Sequence, residues 1–194
     1  MRAAPASVVP FTGAHEKMRH RLVEVLREKA VLRGSFVLAS GKTSDTYIDV
    51  RKVVLDPEGL HLIGELIFQA LQGTGVVAVG GLAVGAVPIS AAVCMKSHGT
   101  SMPLMGFFVR KEEKGHGTGG RISGNLPKGS RVAVVEDVAT TGLSAMEAVT
   151  QVRNFPAEPV IVIAVVDRQE GAAAKFAEGM VEFRALTSID ELLA

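Results

Sequence analysis

Two adjacent acids, Glu136 and Asp137, end an apolar run and lead into a loop of small residues, 138–142. Short side chains let backbone N–H groups and hydroxyls surround a phosphate at the positive end of a following helix. Carboxylates repel phosphate, so the acids need another partner. The vicinal hydroxyls of a ribose suit them, because an ionised carboxylate only accepts hydrogen bonds. The stretch therefore predicts a ribose-phosphate site, whereas an ordinary helix N-cap explains the Thr but not the acids.

A second segment, 110–121, reads RKEEKGHGTGGR and combines four Lys or Arg residues, one His and several glycines. This composition is typical of a lid that brings positive charge onto an anion. A solvated surface loop is the alternative interpretation. Beside a ribose-phosphate site, such cations could stabilise a leaving pyrophosphate in a closed site that excludes water.

The composition favours a small-molecule ligand. The chain has 194 residues, 47% of them hydrophobic, which is enough for one sizeable core. A net charge of +1 gives no general attraction to nucleic acid or membrane. The single cysteine, Cys94, can form no internal disulfide, so a reducing cytoplasm is expected. No apolar run is long enough to span a membrane, and residues 1–14 are expected to form a loose tail.

Hydrophobic spacing defines the elements that position these segments. A helix is predicted over 15–32, then a hairpin of two strands, 35–40 and 46–50, and then a helix that Asp56 caps, Pro57 begins and Gly73 ends. Further along, strands are predicted at 76–79, 105–110, 131–137, 160–166 and 181–186, and helices at 85–96, 143–152, 172–178 and 189–193. This alternation indicates an α/β fold with a parallel sheet. Ligands bind such sheets at the carboxyl ends of strands, where 80–83, 136–142 and 167–169 fall.

Four segments together resemble a known family. VVEDVATTG is similar to the phosphoribosyl pyrophosphate (PRPP) signature of type I phosphoribosyltransferases, and RKEEKGHGTGG to the mobile catalytic loop of the orotate-specific members. FVLASGKTSDTYIDVRK and VVDRQEG resemble their early and late substrate-binding segments, so the similarity covers about residues 30–171. The resemblance implies the type I phosphoribosyltransferase fold: a central, mostly parallel sheet flanked by helices, with a small hood from N-terminal segments and room for a C-terminal contribution. It implies one domain over 1–194, with the helix and hood strands at 15–50 and the mobile loop at 110–125.

The resemblance also implies roles for individual residues. Glu136 and Asp137 would hold the ribose hydroxyls, with Asp137 counted among the catalytic residues. The 5′-phosphate would lie on Val138, Ala139, Thr140, Thr141 and Gly142. Orotate would contact Thr140 and Arg168, whose guanidinium suits a carboxylate. Tyr47 matches an aromatic position beside the base, although a half-buried strand residue is an equally good interpretation.

Two loops would handle the diphosphate of the donor. In the cationic loop the resemblance assigns donor binding to Arg110, Lys111, Lys114 and His116, and catalysis to Lys114 and His116. The pyrophosphate loop would comprise Leu82, Ala83, Val84 and Gly85. Many family members carry a Lys where this chain has Ala39, and a Tyr-Lys pair where it has Ala83 and Val84. Lys42 and Arg51 are the candidates to supply the missing positive charge, and the sequence does not choose between them.

The implied activity is that of an orotate phosphoribosyltransferase, which makes orotidine 5′-monophosphate and pyrophosphate from orotate and PRPP in pyrimidine biosynthesis. Mg²⁺ would be held mainly by the substrate, with no direct protein ligand. The enzyme would be a homodimer whose 110–121 loop reaches the neighbouring subunit's site. Two alternatives remain: a purine phosphoribosyltransferase, which needs no carboxylate receptor such as Arg168, and an RNA-binding regulator, which the near-neutral charge and 5% aromatic content disfavour.

Overall fold

The computed structural model describes residues 7–37, 43–112 and 120–194. In chain order its elements are β1 (Ser7–Val8), α1 (Gly13–Lys29), β2 (Val31–Val37), β3 (Thr43–Ile48), α2 (Arg51–Val54), α3 (Pro57–Ala70), β4 (Ala78–Gly80), α4 (Ala86–Ser97), β5 (Met105–Val109), β6 (Ile122–Gly124), β7 (Arg131–Ala139), α5 (Leu143–Asn154), β8 (Glu158–Asp167), α6 (Ala172–Glu178), β9 (Glu182–Ser188) and α7 (Ile189–Leu193).

A mostly parallel sheet forms the centre of the molecule. Its strand order is β1-β9-β8-β7-β4-β5-β6, and only the β5–β6 pairing is antiparallel. Because successive strand residues face opposite sides, Ala133 and Val135 join a core under α1, α3 and α4, while Val132 and Val134 join a second core under α5 and α6. The sheet is therefore covered on both faces, as its continuous apolar runs predicted.

The predicted start and stop of α3 are confirmed. Pro57 occupies the first turn, and the Asp56 carboxylate accepts a hydrogen bond from the Gly59 N–H at 3.0 Å, which satisfies a free donor at the helix start. Just beyond the helix, Gly73 takes a left-handed conformation with φ of +76°.

The N-terminal hairpin is present, but its first strand starts earlier than predicted. α1 ends at Lys29, and Val31 and Leu32 pair with Ile48 and Tyr47 as the start of β2. The spacing of apolar residues continued past the end of the helix, so it could not mark this change. β2 and β3 are antiparallel, as the predicted hairpin requires.

Residues 7–14 differ from the loose tail that the sequence suggested. β1 pairs in parallel with β9, and the side chains of Val9 and Phe11 are buried in the core. The segment is therefore anchored by the pairing of β1 with β9 and by the burial of Val9 and Phe11.

The cationic segment begins and ends on paired strands. β6, which the sequence analysis missed, runs antiparallel to β5, and the Arg110 N–H donates to the Arg121 carbonyl oxygen at 2.8 Å. This pairing holds the two ends of the segment together. Across the described ranges, no helix combines the length and apolarity that crossing a membrane requires.

Candidate active site

The two acids lie at the carboxyl end of a central strand. β7 continues two residues beyond the predicted end, to Ala139, so Glu136 and Asp137 lie in the strand as predicted, and Val138 and Ala139, which were predicted to lie in the loop, are strand residues as well. The Glu136 side chain is only 7% exposed, and its Oε2 has no hydrogen-bond partner among the described residues. Burial, and next the neighbouring Asp137 carboxylate, raise the pKa of Glu136 to about 9. A buried acceptor thus lacks a donor here.

Asp137 faces the loop between β4 and α4. Its Oδ1 accepts a hydrogen bond from the Val138 N–H at 2.9 Å. A Cβ atom at Gly85 would lie 2.9 Å from the Asp137 Cγ, closer than real Cβ contacts allow. Glycine at position 85 is therefore what lets this loop approach the carboxylate.

The loop at 82–85 has a fixed base and an open tip. The Ala83 N–H donates to the Val109 carbonyl oxygen at 2.7 Å, and Leu82 is buried. Val84 is 81% exposed. Its isopropyl group offers no charge to a diphosphate, so the loop itself can contribute only backbone groups.

The loop after β7 leads directly into α5. Thr140 is half-buried and Thr141 exposed, and Gly142 is left-handed with φ of +80° immediately before the helix. A Cβ at Gly142 would lie 3.1 Å from the Phe176 ring and 3.2 Å from the Ala172 Cα. The first N–H groups of a helix have no partner within the helix, so this short turn presents donors suited to a phosphate.

Arg168 follows β8, the strand beside β7. Its backbone N–H donates a hydrogen bond to the Ala139 carbonyl oxygen at 2.9 Å, which joins the ends of the two strands. The buried Asp167 accepts from the Gln169 N–H at 2.9 Å and fixes the turn. The Arg168 Nε is buried without a partner in the described chain, while its Nη2 lies 2.9 Å from Glu170 Oε1. A buried donor here lacks an acceptor.

The hood contributes Tyr47 and a neighbouring cation. Tyr47 is half-buried in β3, with its ring centroid 5.5 Å from that of Phe36. Arg51, the first residue of α2, donates from Nε to Asp49 Oδ1 at 2.9 Å, and its side chain is 64% exposed. The hydrogen bond to Asp49, followed by the charges of Asp49, Tyr47 and Asp137, raises the pKa of Arg51 above its usual value. The charge of Asp137 thus contributes to the environment of Arg51.

Side-chain contacts fix both ends of the cationic segment, at Arg110 and Arg121. The Arg110 Nε donates to Ser123 Oγ at 2.9 Å, and its guanidinium lies 5.6 Å from the centre of the Phe108 ring. Arg121 donates from Nε to the Arg110 carbonyl oxygen at 2.6 Å and pairs with Glu147 of α5. The segment is thus tied to the helix that follows the predicted phosphate loop.

Lys114, His116, Ala39 and Lys42 lie outside the described ranges, and Lys111 is exposed next to the gap. The structure brings together Glu136 to Gly142 and Arg168 at the ends of β7 and β8, with Gly85 approaching Asp137. Tyr47 packs against Phe36 in the hood, and Arg110 lies at the end of β5 beside Ser123. The sequence analysis did not identify Glu170 or Glu147 as neighbours of the site. Glu170 stands two residues after Arg168, and this short spacing was the available signal.

Comparison with known proteins identifies the family. A model of the phosphoribosyl transferase domain matches residues 51–182. An orotate phosphoribosyltransferase of Rhodopseudomonas palustris (strain BisB5) is 43% identical over 179 residues, which are 90% of this chain and 96% of the relative. Another, from Bradyrhizobium sp. (strain ORS 278), is 44% identical, with 90% of this chain and 97% of the relative covered.

A solved structure supports the same conclusion. The Mycobacterium tuberculosis orotate phosphoribosyltransferase crystallised with PRPP superposes with a TM-score of 0.78 at 34% identity, covering 91% of this chain and 99% of that one. The chain therefore belongs to the phosphoribosyl transferase family and, within it, to the orotate phosphoribosyltransferases.

Proposed function

We propose that this chain transfers the 5-phosphoribosyl group of PRPP to orotate, which gives orotidine 5′-monophosphate and pyrophosphate for pyrimidine biosynthesis. One observation carries the proposal. In the described chain, the buried side-chain atoms without a partner are Glu136 Oε2 and Arg168 Nε, at the ends of adjacent strands. The first is an acceptor suited to a ribose hydroxyl, and the second is a donor suited to a carboxylate.

In the proposed reaction, the C1–O bond of the donor breaks, its electron pair leaves with pyrophosphate, and the N1 atom of orotate forms the new bond to C1. The N1 proton leaves to water. Glu136 and Asp137 hold the ribose hydroxyls, and the loop from Ala139 to Gly142 holds the 5′-phosphate. Arg168 holds the orotate carboxylate, so the nitrogen and the anomeric carbon are oriented before they react.

The leaving group needs positive charge, since pyrophosphate becomes more negative as the bond breaks. We assign this role to Lys114 and His116, with Arg110 and Lys111 as binding partners, on the strength of the family resemblance. The segment that carries them starts and ends at the β5–β6 pair, next to the loop at 82–85. Closure of this segment would also exclude water, which is the competing nucleophile.

Magnesium is part of the proposal. The described ranges contain no cluster of three or more residues suited to hold a metal ion. Mg²⁺ commonly takes much of its coordination from substrate phosphates and waters, and here it would be held by the diphosphate and ribose hydroxyls of the donor, with Glu136 and Asp137 holding those hydroxyls. The residues present therefore fit an ion that arrives with the donor and neutralises part of the diphosphate charge.

We further propose a homodimer in the cytoplasm. The family resemblance implies that segment 110–121 closes over the neighbouring subunit's site. Arg110 and Arg121 anchor the ends of that segment at an edge of the sheet, from which it can extend outward. The single cysteine, half-buried Cys94, is consistent with a reducing compartment.

The proposal is tested by offering single bases to the purified protein with PRPP and Mg²⁺. Orotate, uracil, hypoxanthine and adenine are supplied separately, and the consumption of each base is followed. We expect orotate alone to be consumed. Consumption of a purine would favour the purine enzyme, and no consumption together with tight retention of RNA would favour the regulator.

A further inference from the structure

We propose that Glu170 acts as an internal competitor for the orotate carboxylate: it occupies one arm of the Arg168 guanidinium and sets the affinity for the acidic base. This inference rests on the proposed function, because it assumes that Arg168 receives orotate. It assigns Glu170 a role in specificity and not in bond making.

The contact between the two residues involves only one nitrogen of the guanidinium. Glu170 Oε1 lies 2.9 Å from the Arg168 Nη2, whereas the buried Arg168 Nε has no partner in the described chain. A planar carboxylate binds a guanidinium best through two parallel hydrogen bonds. On the side of Arg168 that includes Nε, a substrate carboxylate bound in this way also contacts Nη2, and so it competes with Glu170 for the positive charge at that nitrogen.

The backbone of Arg168 is held without the Glu170 side chain. The backbone of Arg168 is held by the Ala139 carbonyl oxygen at 2.9 Å, and the following turn is held by the bond from the Gln169 N–H to Asp167. Both contacts are independent of the Glu170 side chain. The strand ends therefore fix the backbone from which Arg168 extends, and the carboxylate of Glu170 contacts only the guanidinium, at Nη2.

Exposure shows that the contact can be broken at low cost. The Glu170 side chain is 47% exposed and that of Arg168 is 23% exposed, so water screens the pair and can solvate the released carboxylate. A neutral base lacks the group that displaces Glu170. The ion pair thus weakens orotate binding modestly while keeping the Arg168 charge partly neutralised before orotate arrives.

The test compares Glu170→Gln with the wild type in steady-state assays that vary orotate and PRPP separately. Glutamine retains the size and the acceptor oxygen but removes the charge. We expect the KM for orotate to fall about two- to fivefold, with kcat and the KM for PRPP unchanged. Isothermal titration of orotate into the protein, with pyrophosphate and Mg²⁺ present, should show the same gain in affinity.

Glu178→Gln is the matched control. Glu178 is an exposed acid on α6 whose Oε2 lies 3.6 Å from the Lys175 Nζ, and its substitution should change neither KM. An orotate KM that stays constant or rises in Glu170→Gln would overturn the inference, because Glu170 would then be neutral or would orient Arg168. A wild type that does not consume orotate would instead refute the proposed function, so the two failures are distinguishable.

Discussion

The backbone N–H of Arg168 donates a hydrogen bond to the Ala139 carbonyl oxygen at 2.9 Å. This hydrogen bond joins the strand end that carries the predicted ribose-phosphate loop to the residue predicted to receive the base. The two substrates would therefore meet over one rigid edge formed by β7 and β8. The distance between the bound phosphoribosyl donor and the bound base would then be set by the sheet and not by a flexible loop.

Arg168→Met should raise the KM for orotate and leave the KM for PRPP nearly unchanged. Loss of a charge-assisted contact worth about 1.5–3 kcal/mol corresponds to a rise of roughly 10- to 150-fold in the KM for orotate. The KM for PRPP should stay within about twofold, since the phosphate loop is unchanged. Arg153→Met, which removes an exposed arginine on α5, serves as the control. Equal losses for both substrates would argue against a specific role for Arg168.

Arg51→Met tests which cation replaces the lysines that many relatives carry. Arg51 is exposed and its charge reaches Asp137, so its loss should raise the KM for PRPP about tenfold and leave the KM for orotate unchanged. Lys52→Met removes the adjacent exposed charge and should have little effect. An unaltered KM for PRPP in the Arg51 variant would leave Lys42 as the candidate.

Gly85→Ala should weaken donor binding without unfolding the protein. The new methyl group would lie 2.9 Å from the Asp137 Cγ and would force that carboxylate to rotate. Because the displaced atoms belong to a half-buried side chain, we expect a change of only a few degrees in Tm and a rise of about tenfold in the KM for PRPP. A large drop in Tm with unchanged kinetics would show that Gly85 acts in packing alone.

Glu136 should make the ligand-free protein less stable as the pH rises. Its pKa is raised from 4.5 to about 9 in the folded state, so the folded protein retains a proton that the unfolded chain releases between these values. Stability is therefore complete below pH 4.5 and declines up to about pH 9. Glu136→Gln has no proton to release, so it should remove this loss of stability at high pH.

Thermal unfolding of both proteins without ligands at pH 5.5 and pH 8.5 measures the effect. The Tm of Glu136→Gln relative to the wild type should be higher at pH 8.5 than at pH 5.5, by about 4 °C or more. A difference that does not change with pH would mean that Glu136 is ionised in the ligand-free protein.

Lys114→Ala should lower turnover on the order of a hundredfold or more, since a cation at the leaving group stabilises charge that develops in the transition state. Tm should not change. Lys128→Ala removes an exposed lysine from a turn distant from the site and is the control. Near-normal turnover in the Lys114 variant would remove Lys114 from the mechanism.

Lys114→Ala also tests whether segment 110–121 of one subunit acts at the site of the neighbouring subunit. An equal mixture of Lys114→Ala and Asp137→Asn subunits, allowed to exchange, contains mixed dimers with one intact site if the loop serves the neighbouring subunit. About a quarter of the wild-type activity should then return. If the loop serves its own subunit, mixing restores nothing.

The sequence predicted elements well where local chemistry marked their ends. Asp56 and Pro57 defined the start of α3, and the apolar runs of β7 and β8 defined the parallel sheet. β6 escaped detection because its three residues carry no pattern and form a strand only by pairing with β5. The burial of Val9 and Phe11 likewise depends on distant parts of the chain.

At the site, residue types could be predicted but not their environments. The acids are singled out by their position between an apolar run and a small-residue loop, and the role of Arg168 is taken from the family resemblance. The raised pKa of Glu136 depends on how deeply the sheet buries it, and the approach of Gly85 to Asp137 depends on a crossover between β4 and β7. Neither property is local, so neither could be predicted from the residues around it.

The central claim is that the ends of β7 and β8 bring a phosphoribosyl donor and an acidic pyrimidine together. The most direct measurement mixes the protein with PRPP, Mg²⁺ and orotate, and quantifies nucleotide by mass spectrometry and pyrophosphate by a coupled assay. We predict orotidine 5′-monophosphate and pyrophosphate in equal amounts, with no pyrophosphate released when orotate is omitted. Pyrophosphate release without nucleotide, or no product at all, would contradict the claim.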